Sequence, residues 1–304
     1  MTEKDPPESS KRGLLTIVVV FGGLFVMFFL FAMVALLAVD DSNFDFGGGE
    51  RIGVVEVVGP IMDSREVVEQ LATYGDDESI LGIVVRVDSP GGAVAPSQEI
   101  YQAIERAGEK KPIAISMGST AASGGYYIAL GGDRIFANAG TVTGSIGVIT
   151  QLFDVHQLLE TAQVEVNTIK TGPYKDAGSP FRPMELKDEM HFRALIDDVY
   201  EQFVEDIARA RKMEVAEVKK LADGRVFTGR QAEALALVDE IGSLHDTVAW
   251  VAEQAKLEGE PTLVYPPKDE ALLDQLIRGS IQSAVAETRA SATPVLEYRY
   301  IGPQ

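Results

Sequence analysis

The stretch Ser116-Met-Gly-Ser-Thr-Ala-Ala-Ser-Gly-Gly-Tyr-Tyr-Ile-Ala-Leu130 gathers the residue types from which a nucleophilic site is built. An apolar run over 112–117 predicts a strand, a knot of small residues follows, and an apolar helical run begins at Ser123. A serine at a strand-to-helix junction stands beside amide N–H groups that have no intrahelical acceptor, at the positive end of the helix dipole. An oxyanion can be held there. Gly124 and Gly125 admit close backbone approach and turn geometries that a Cβ resists. The same serine fits a plain helix N-cap equally well, and the strict Gly-x-Ser-x-Gly pattern is absent because Ala stands at position 121.

A hydroxyl is a weak nucleophile until a base takes its proton. His156, His191 and His245 fall in separate predicted segments and none sits in a His-Glu-x-x-His pattern, which argues against a zinc hydrolase. The chain has no cysteine, so a thiol nucleophile, a disulfide framework and a cysteine zinc site are excluded. No metal or cofactor is called for. Lysine is the natural base, and Lys175 lies in Lys170-Thr-Gly-Pro-Tyr-Lys-Asp-Ala-Gly-Ser-Pro-Phe-Arg-Pro183, among Gly, Pro and aromatic residues. Burial there would lower its pKa from about 10.4 toward neutrality and let the amine accept the serine proton. The alternative is an ordinary surface lysine.

Around these residues, apolar β-branched runs alternate with helical periodicity. Strands are predicted over 51–58, 80–87, 113–117, 134–137 and 164–171, and helices over 64–74, 97–107, from 123, over 155–162 and over 185–211. Strands apolar on both faces and separated by helices imply a parallel sheet covered on both sides, the α/β class. Asp88-Ser-Pro-Gly-Gly92 reads as a tight turn in which Asp88 is structural, and Tyr126 and Tyr127 read as core. Phe192, Leu195, Ile196, Val199, Phe203 and Ile207 form one stripe of the long helix, a core or subunit-contact surface. Thr228-Gly-Arg-Gln231 has capping-box spacing and opens a helix through Ala236. A further amphipathic helix is expected over 270–287, and the tail over 291–304 has little to fix it.

Residues 14–39 carry no charge, and as a helix would extend about 39 Å, enough to cross a hydrocarbon core of about 30 Å. A cleaved secretory signal is the weaker reading, because its apolar region is typically only about 7–15 residues. Lys4, Lys11 and Arg12 precede the stretch and Asp40, Asp41, Asp45 and Glu50 follow it, which orients the amino terminus inward. The expected organisation is a cytoplasmic terminus (1–13), an anchor (14–39), a linker (40–50), an external domain (51–260) and a carboxy-terminal extension (261–304). The net charge of −19 belongs to the part beyond the anchor and disfavours nucleic-acid partners.

Ser-Pro-Gly-Gly after a strand, Gly-Ser-x-Ala-Ala-Ser-Gly-Gly-Tyr-Tyr, Thr-Gly-Ser-Ile-Gly-Val, Lys-x-Gly-x-Tyr-Lys-Asp-x-Gly-Ser-Pro and Arg225-Val-Phe-Thr-Gly-Arg-Gln-Ala together resemble the signal peptide peptidase A family, in its short single-core form. The resemblance covers roughly residues 50 to 260 and implies a crotonase/Clp-protease-like core. It implies Ser123 as nucleophile, Lys175 as general base, Ser145 as the residue that orients the lysine, and an oxyanion hole from Gly124 with Gly91 or Gly92. It further implies apolar peptide substrates left by preprotein processing, cleaved outside the cytoplasmic membrane, and a homo-oligomer in which the 185–211 helix and the carboxy-terminal segment make contacts. Two other readings stand beside it: an acyl-CoA hydratase or thioesterase on the same scaffold, and a catalytically silent membrane scaffold.

Overall fold

The computed structural model describes residues 50–266 and 297–300, together with Phe25 and residues 27–29. These last four are helical and exposed. The rest of the expected anchor over 14–39, the linker up to 49 and the expected helix over 270–287 lie outside the described residues. Among the described residues no helix is long and apolar enough to cross a membrane. The chain divides into two units, Met1–Gly49 and Glu50–Gln304, and the second carries the fold below.

Valine- and isoleucine-rich runs form the first two strands, β1 (Arg51–Val58) and β2 (Ile80–Ser89), joined by helix α1 (Arg65–Asp76). Then come the short β3 (Gly91–Ala93), α2 (Val94–Gly108), β4 (Ile113–Ala122), α3 (Gly124–Ala129), β5 (Arg134–Ala137) and β6 (Val142–Gly144). The remainder is α4 (His156–Thr161), α5 (Leu186–Arg211), α6 (Val215–Leu221), β7 (Val226–Thr228), α7 (Gly229–Ala234), β8 (Glu240–Ile241), α8 (Leu244–Gln254), β9 (Thr262–Val264) and β10 (Glu297–Arg299). The main sheet runs β7-β6-β4-β2-β1-β9, with β5 beside β4 and β8 beside β5. Its pairings are parallel except β6 with β7. This is a mixed α/β fold on a mostly parallel sheet, and the strand interiors Val54, Val85, Ile115 and Ile135 are buried as such a sheet requires.

β4 runs five residues further than its apolar stretch predicts, because it changes partner along its length. Ala114–Met117 pair with β5, and Thr120–Ala122 pair with β6. On its other side the register with β2 slips between Val87 and Ser89, leaving Ser89 opposite Ala121. Asp88 braces this irregularity: its carboxylate accepts from the Thr120 amide at 3.0 Å. The carboxyl ends of β2 and β4 thereby come level, the position at which open α/β sheets place their ligands.

Two expectations over these residues need correction. The run over 164–171 forms no strand; residues 164–170 are irregular and exposed, because a strand exists only through ladder partners and this run has none among the described residues. The tail, expected to be loose, instead contributes β10, paired antiparallel with β3 and burying Tyr298 completely. The long helix starts at a reciprocal capping box of Glu185 with Asp188, and only its second half buries the apolar stripe, through Phe203, Val204 and Ile207. The Thr228–Gln231 box forms, and its helix stops at Ala234 rather than 236.

Gly92 lies where β3 meets the Ile61 backbone. A Cβ there would stand 2.1 Å from the Ile61 carbonyl oxygen, an atom that cannot rotate away. Gly92→Ala is expected to lower stability by about 1–3 kcal/mol in urea denaturation, whereas Gly140→Ala, where a Cβ meets nothing within 4 Å, leaves the midpoint essentially unchanged.

Candidate active site

Ser123 leaves β4 with φ 53° and ψ −113° and becomes the N-cap of α3. A non-glycine residue held in this sparsely populated region stores on the order of 1–3 kcal/mol, so the surroundings must enforce it. They do so through the backbone: the Ser123 amide donates to the Gly144 carbonyl at 2.7 Å, and its carbonyl accepts from the Tyr127 amide at 2.8 Å. The residue is buried at 1% exposure, and its side chain makes no capping hydrogen bond. Ser123 thus occupies the N-cap position without doing a cap's work, and its hydroxyl is left for another partner. The strained strand-to-helix turn forms without the glycine at position 121 that the strict elbow pattern asks for.

Gly91 and Gly92 come directly against it. A Cβ on Gly124 would lie 3.1 Å from both the Gly91 Cα and the Gly92 nitrogen, and 2.7 Å from the Ser97 hydroxyl oxygen. Gly91 adopts φ +94°, and its amide already donates to the Ser89 hydroxyl at 3.1 Å. Gly92 stands opposite Tyr298 in the antiparallel pairing of β3 with β10.

Ser145 also has a left-handed backbone, φ 51°, and is 8% exposed, with its amide donating to the Arg225 carbonyl at 2.8 Å. Ala122 pairs with Gly144 across β4 and β6, so Ser123 and Ser145 leave neighbouring parallel strands at the same level. The structure thus gathers Ser123, Gly124, Gly91, Gly92 and Ser145.

Lys175 is not gathered with them. It sits in a run of turns, its amide donating to the Gly172 carbonyl at 3.3 Å, and its side chain is exposed, so the dry environment expected for it does not exist within one chain. The physical reason is that residues 151–187 include no buried residue at all. What orders the lysine-bearing loop is charge. Arg182 donates to the Asp176 carboxylate at 3.0 Å and to Asp188 at 2.6 Å, and Lys170 pairs with Asp176 from the other side. Hydrogen bonds from Arg182, joined at Asp176 by that from Lys170, hold both carboxyls below the usual aspartate range.

Sequence reasoning missed what fills the groove beside the glycines. Glu297 exchanges both backbone hydrogen bonds with Ile149 at 3.0 Å, Tyr298 stands opposite Gly92, and the Tyr300 amide donates to the Pro90 carbonyl at 2.8 Å. The Tyr298 ring stacks on Tyr127 at 5.2 Å and meets Phe203 at 4.6 Å. Tyr127, expected as core, is a wall of this chamber, with Tyr101 edge-on behind it at 5.3 Å. The Tyr127 hydroxyl donates to Asp206, and burial together with that bond pushes its pKa up. The alternation of Leu296, Tyr298 and Tyr300 in the sequence was the available signal of a strand.

The pattern of peptidase family S49 matches residues 105–258, a span that includes Ser123, Ser145 and Lys175, and the Clp protease pattern matches residues 52–144. A putative protease of Synechocystis sp. is 43% identical over 210 residues, 69% of this chain and 76% of that one. A putative protease of Methanocaldococcus jannaschii is 30% identical over 249 residues, 77% of this chain and 80% of that one. A putative signal peptide peptidase of Enterococcus faecium is 39% identical over 204 residues, 66% of this chain and 59% of that one.

The ion-pair cluster predicts how the lysine loop responds to acid. Because both carboxyls titrate below their unfolded values, their contribution is complete at neutral pH and is lost only as pH falls through the depressed folded values. Native-state hydrogen exchange over 170–188 is expected to stay slow through mildly acidic pH, and Arg182→Ala to accelerate it already at pH 7.

Proposed function

The chain belongs to peptidase family S49 and is a serine-type peptidase, and from that premise we propose that it works through a Ser123–Lys175 dyad. The observation that carries this reading is the unengaged Ser123 hydroxyl, fixed by a strained turn beside the Gly124 amide and the Gly92 backbone. Lys175 removes the Ser123 proton, Ser123 attacks the peptide carbonyl, the protonated lysine donates to the leaving amine, and water releases the acyl group. Ser145, level with Ser123, orients the amine. Gly124 and Gly92 hold the oxyanion, each donor being worth roughly 3 kcal/mol of barrier. Gly91 shapes the approach instead, since its own amide is taken by Ser89.

The base then comes from a second copy of the chain. Within one chain the lysine stands in water, on a segment that exposes Phe153, Leu158, Val166, Ile169 and Phe181. A surface so apolar is suited to being covered, and covering it would exclude water from the amine. Residues 14–39 are proposed as the anchor that holds the domain at the outer face of the cytoplasmic membrane, where apolar peptides remaining from preprotein processing are the substrates. The acyl-CoA alternative draws no support from the family to which the chain belongs.

Ser123→Ala and Lys175→Ala are each expected to lower kcat/KM on an unstructured apolar peptide by about 10³-fold or more, and Ser145→Ala by a smaller factor. Wild-type rates in both Ser123→Ala and Lys175→Ala would remove the dyad. Hydrolysis of acyl-CoA in place of peptide would restore the alternative.

A further inference from the structure

The two ends of α5 sit in different surroundings. Arg182 ties its first turn, at Asp188, to Asp176 in the loop that carries Lys175. Its last turns bury Phe203, Val204 and Ile207. Among these apolar residues stands one carboxylate, Asp206, whose side chain is only 16% exposed. The Tyr127 hydroxyl donates to its Oδ2, and Arg209 donates to its Oδ1 at 2.7 Å. Arg209 also donates to the Tyr101 hydroxyl at 2.9 Å, which in turn donates to Glu105 at 2.5 Å.

Burial, and next the carboxylates of Glu105 and Asp206, push the pKa of both tyrosines up, that of Tyr101 to about 12. Each hydroxyl therefore keeps its proton and acts as a donor, and Asp206 is the acceptor that holds α3 to α5. The bond reaches the nucleophile in one further step. The Tyr127 amide donates to the Ser123 carbonyl at 2.8 Å, one of the two backbone bonds that hold the strained turn. Helix α3 has six residues, too few to be stable without outside contacts. A hydrogen bond to an ionised acceptor is the stronger kind of contact for fixing its place.

We propose that Asp206 is a positioning residue of the peptidase: through the Tyr127 hydroxyl it fixes the first turn of α3, and with it the dihedral angles at which Ser123 presents its oxygen. It acts through Tyr127 rather than on the substrate, and the proposal rests on Ser123 being the nucleophile. The same contact joins the helix that begins at the serine to the helix whose first turn holds the lysine loop. One carboxylate thereby sets the placement of both segments against the body of the chain.

The test uses the full chain in detergent, as Tyr127→Phe, Asp206→Asn and the double variant, with an unstructured apolar peptide as substrate and Ser123→Ala as the blank. Phenylalanine keeps the ring and asparagine keeps an acceptor oxygen, so both variants preserve the packing. Tyr127→Phe is expected to lower kcat about tenfold while KM stays within about twofold of wild type. Asp206→Asn is expected to lower kcat by a smaller factor, and the double variant no further than Tyr127→Phe, because both act through one bond. A merely structural contact would lower the urea midpoint and leave kcat per folded molecule at the wild-type value. That result, a rise in KM in place of the fall in kcat, or losses that multiply in the double variant would overturn this inference while leaving Ser123 as nucleophile. Wild-type cleavage by Ser123→Ala would instead overturn the reading on which it rests.

Discussion

Gly91 and Gly124 bring two chain segments closer than any residue with a Cβ allows, and the chemistry of the fold depends on that approach. One segment is the turn that ends β2, the other the turn that ends β4. A methyl group on either glycine would strike the backbone of the opposite segment, at 2.6 Å for the Gly91 Cβ against the Gly124 nitrogen and 3.1 Å for the Gly124 Cβ against the Gly91 Cα. The parallel sheet exists, in functional terms, to deliver these two strand ends to the same level. The register slip between Val87 and Ser89, braced by Asp88, makes the levels agree.

This constraint also explains the strain at Ser123. A serine continuing β4 with ordinary strand dihedrals would not start α3 against the glycine turn, so the chain reverses through a left-handed residue held by Gly144 and Tyr127. The stored strain leaves the hydroxyl with no local hydrogen-bond partner. Lys175 is exposed within the single chain. The segment over 151–187 contributes nothing to the core, and an ion-pair cluster rather than burial orders the loop around Lys175. In our reading one chain builds the nucleophile and the oxyanion donors, and a neighbouring copy supplies the base.

The sequence was most informative where local and global preferences agree. The apolar runs at 51–58 and 134–137 form strands with the bounds that their residues suggest, and the box at Thr228 starts a helix as its chemistry requires. Ser123 stood beside a plain N-cap reading on its local sequence, and it was the ordered set of motifs along the chain that singled it out. Less legible were features that depend on partners remote in the chain. The apolar run at 164–171 has strand composition but no ladder to join, and the burial of Lys175 could not be judged from the glycines and prolines around it. The alternation around Tyr298 signalled a strand but not its place, because its chamber is assembled from Tyr127 and Phe203, residues far away in sequence.

The division of the site between two copies is tested most directly by mixing two inactive proteins. Ser123→Ala chains retain the lysine, and Lys175→Ala chains retain the serine. Dissociated and reassembled together in equal amounts, they should regain about a quarter of the wild-type peptidase rate, the share of subunit contacts that join an intact serine to an intact lysine when copies mix at random. Mixtures that exchange subunits yet stay as inactive as either parent would contradict the account.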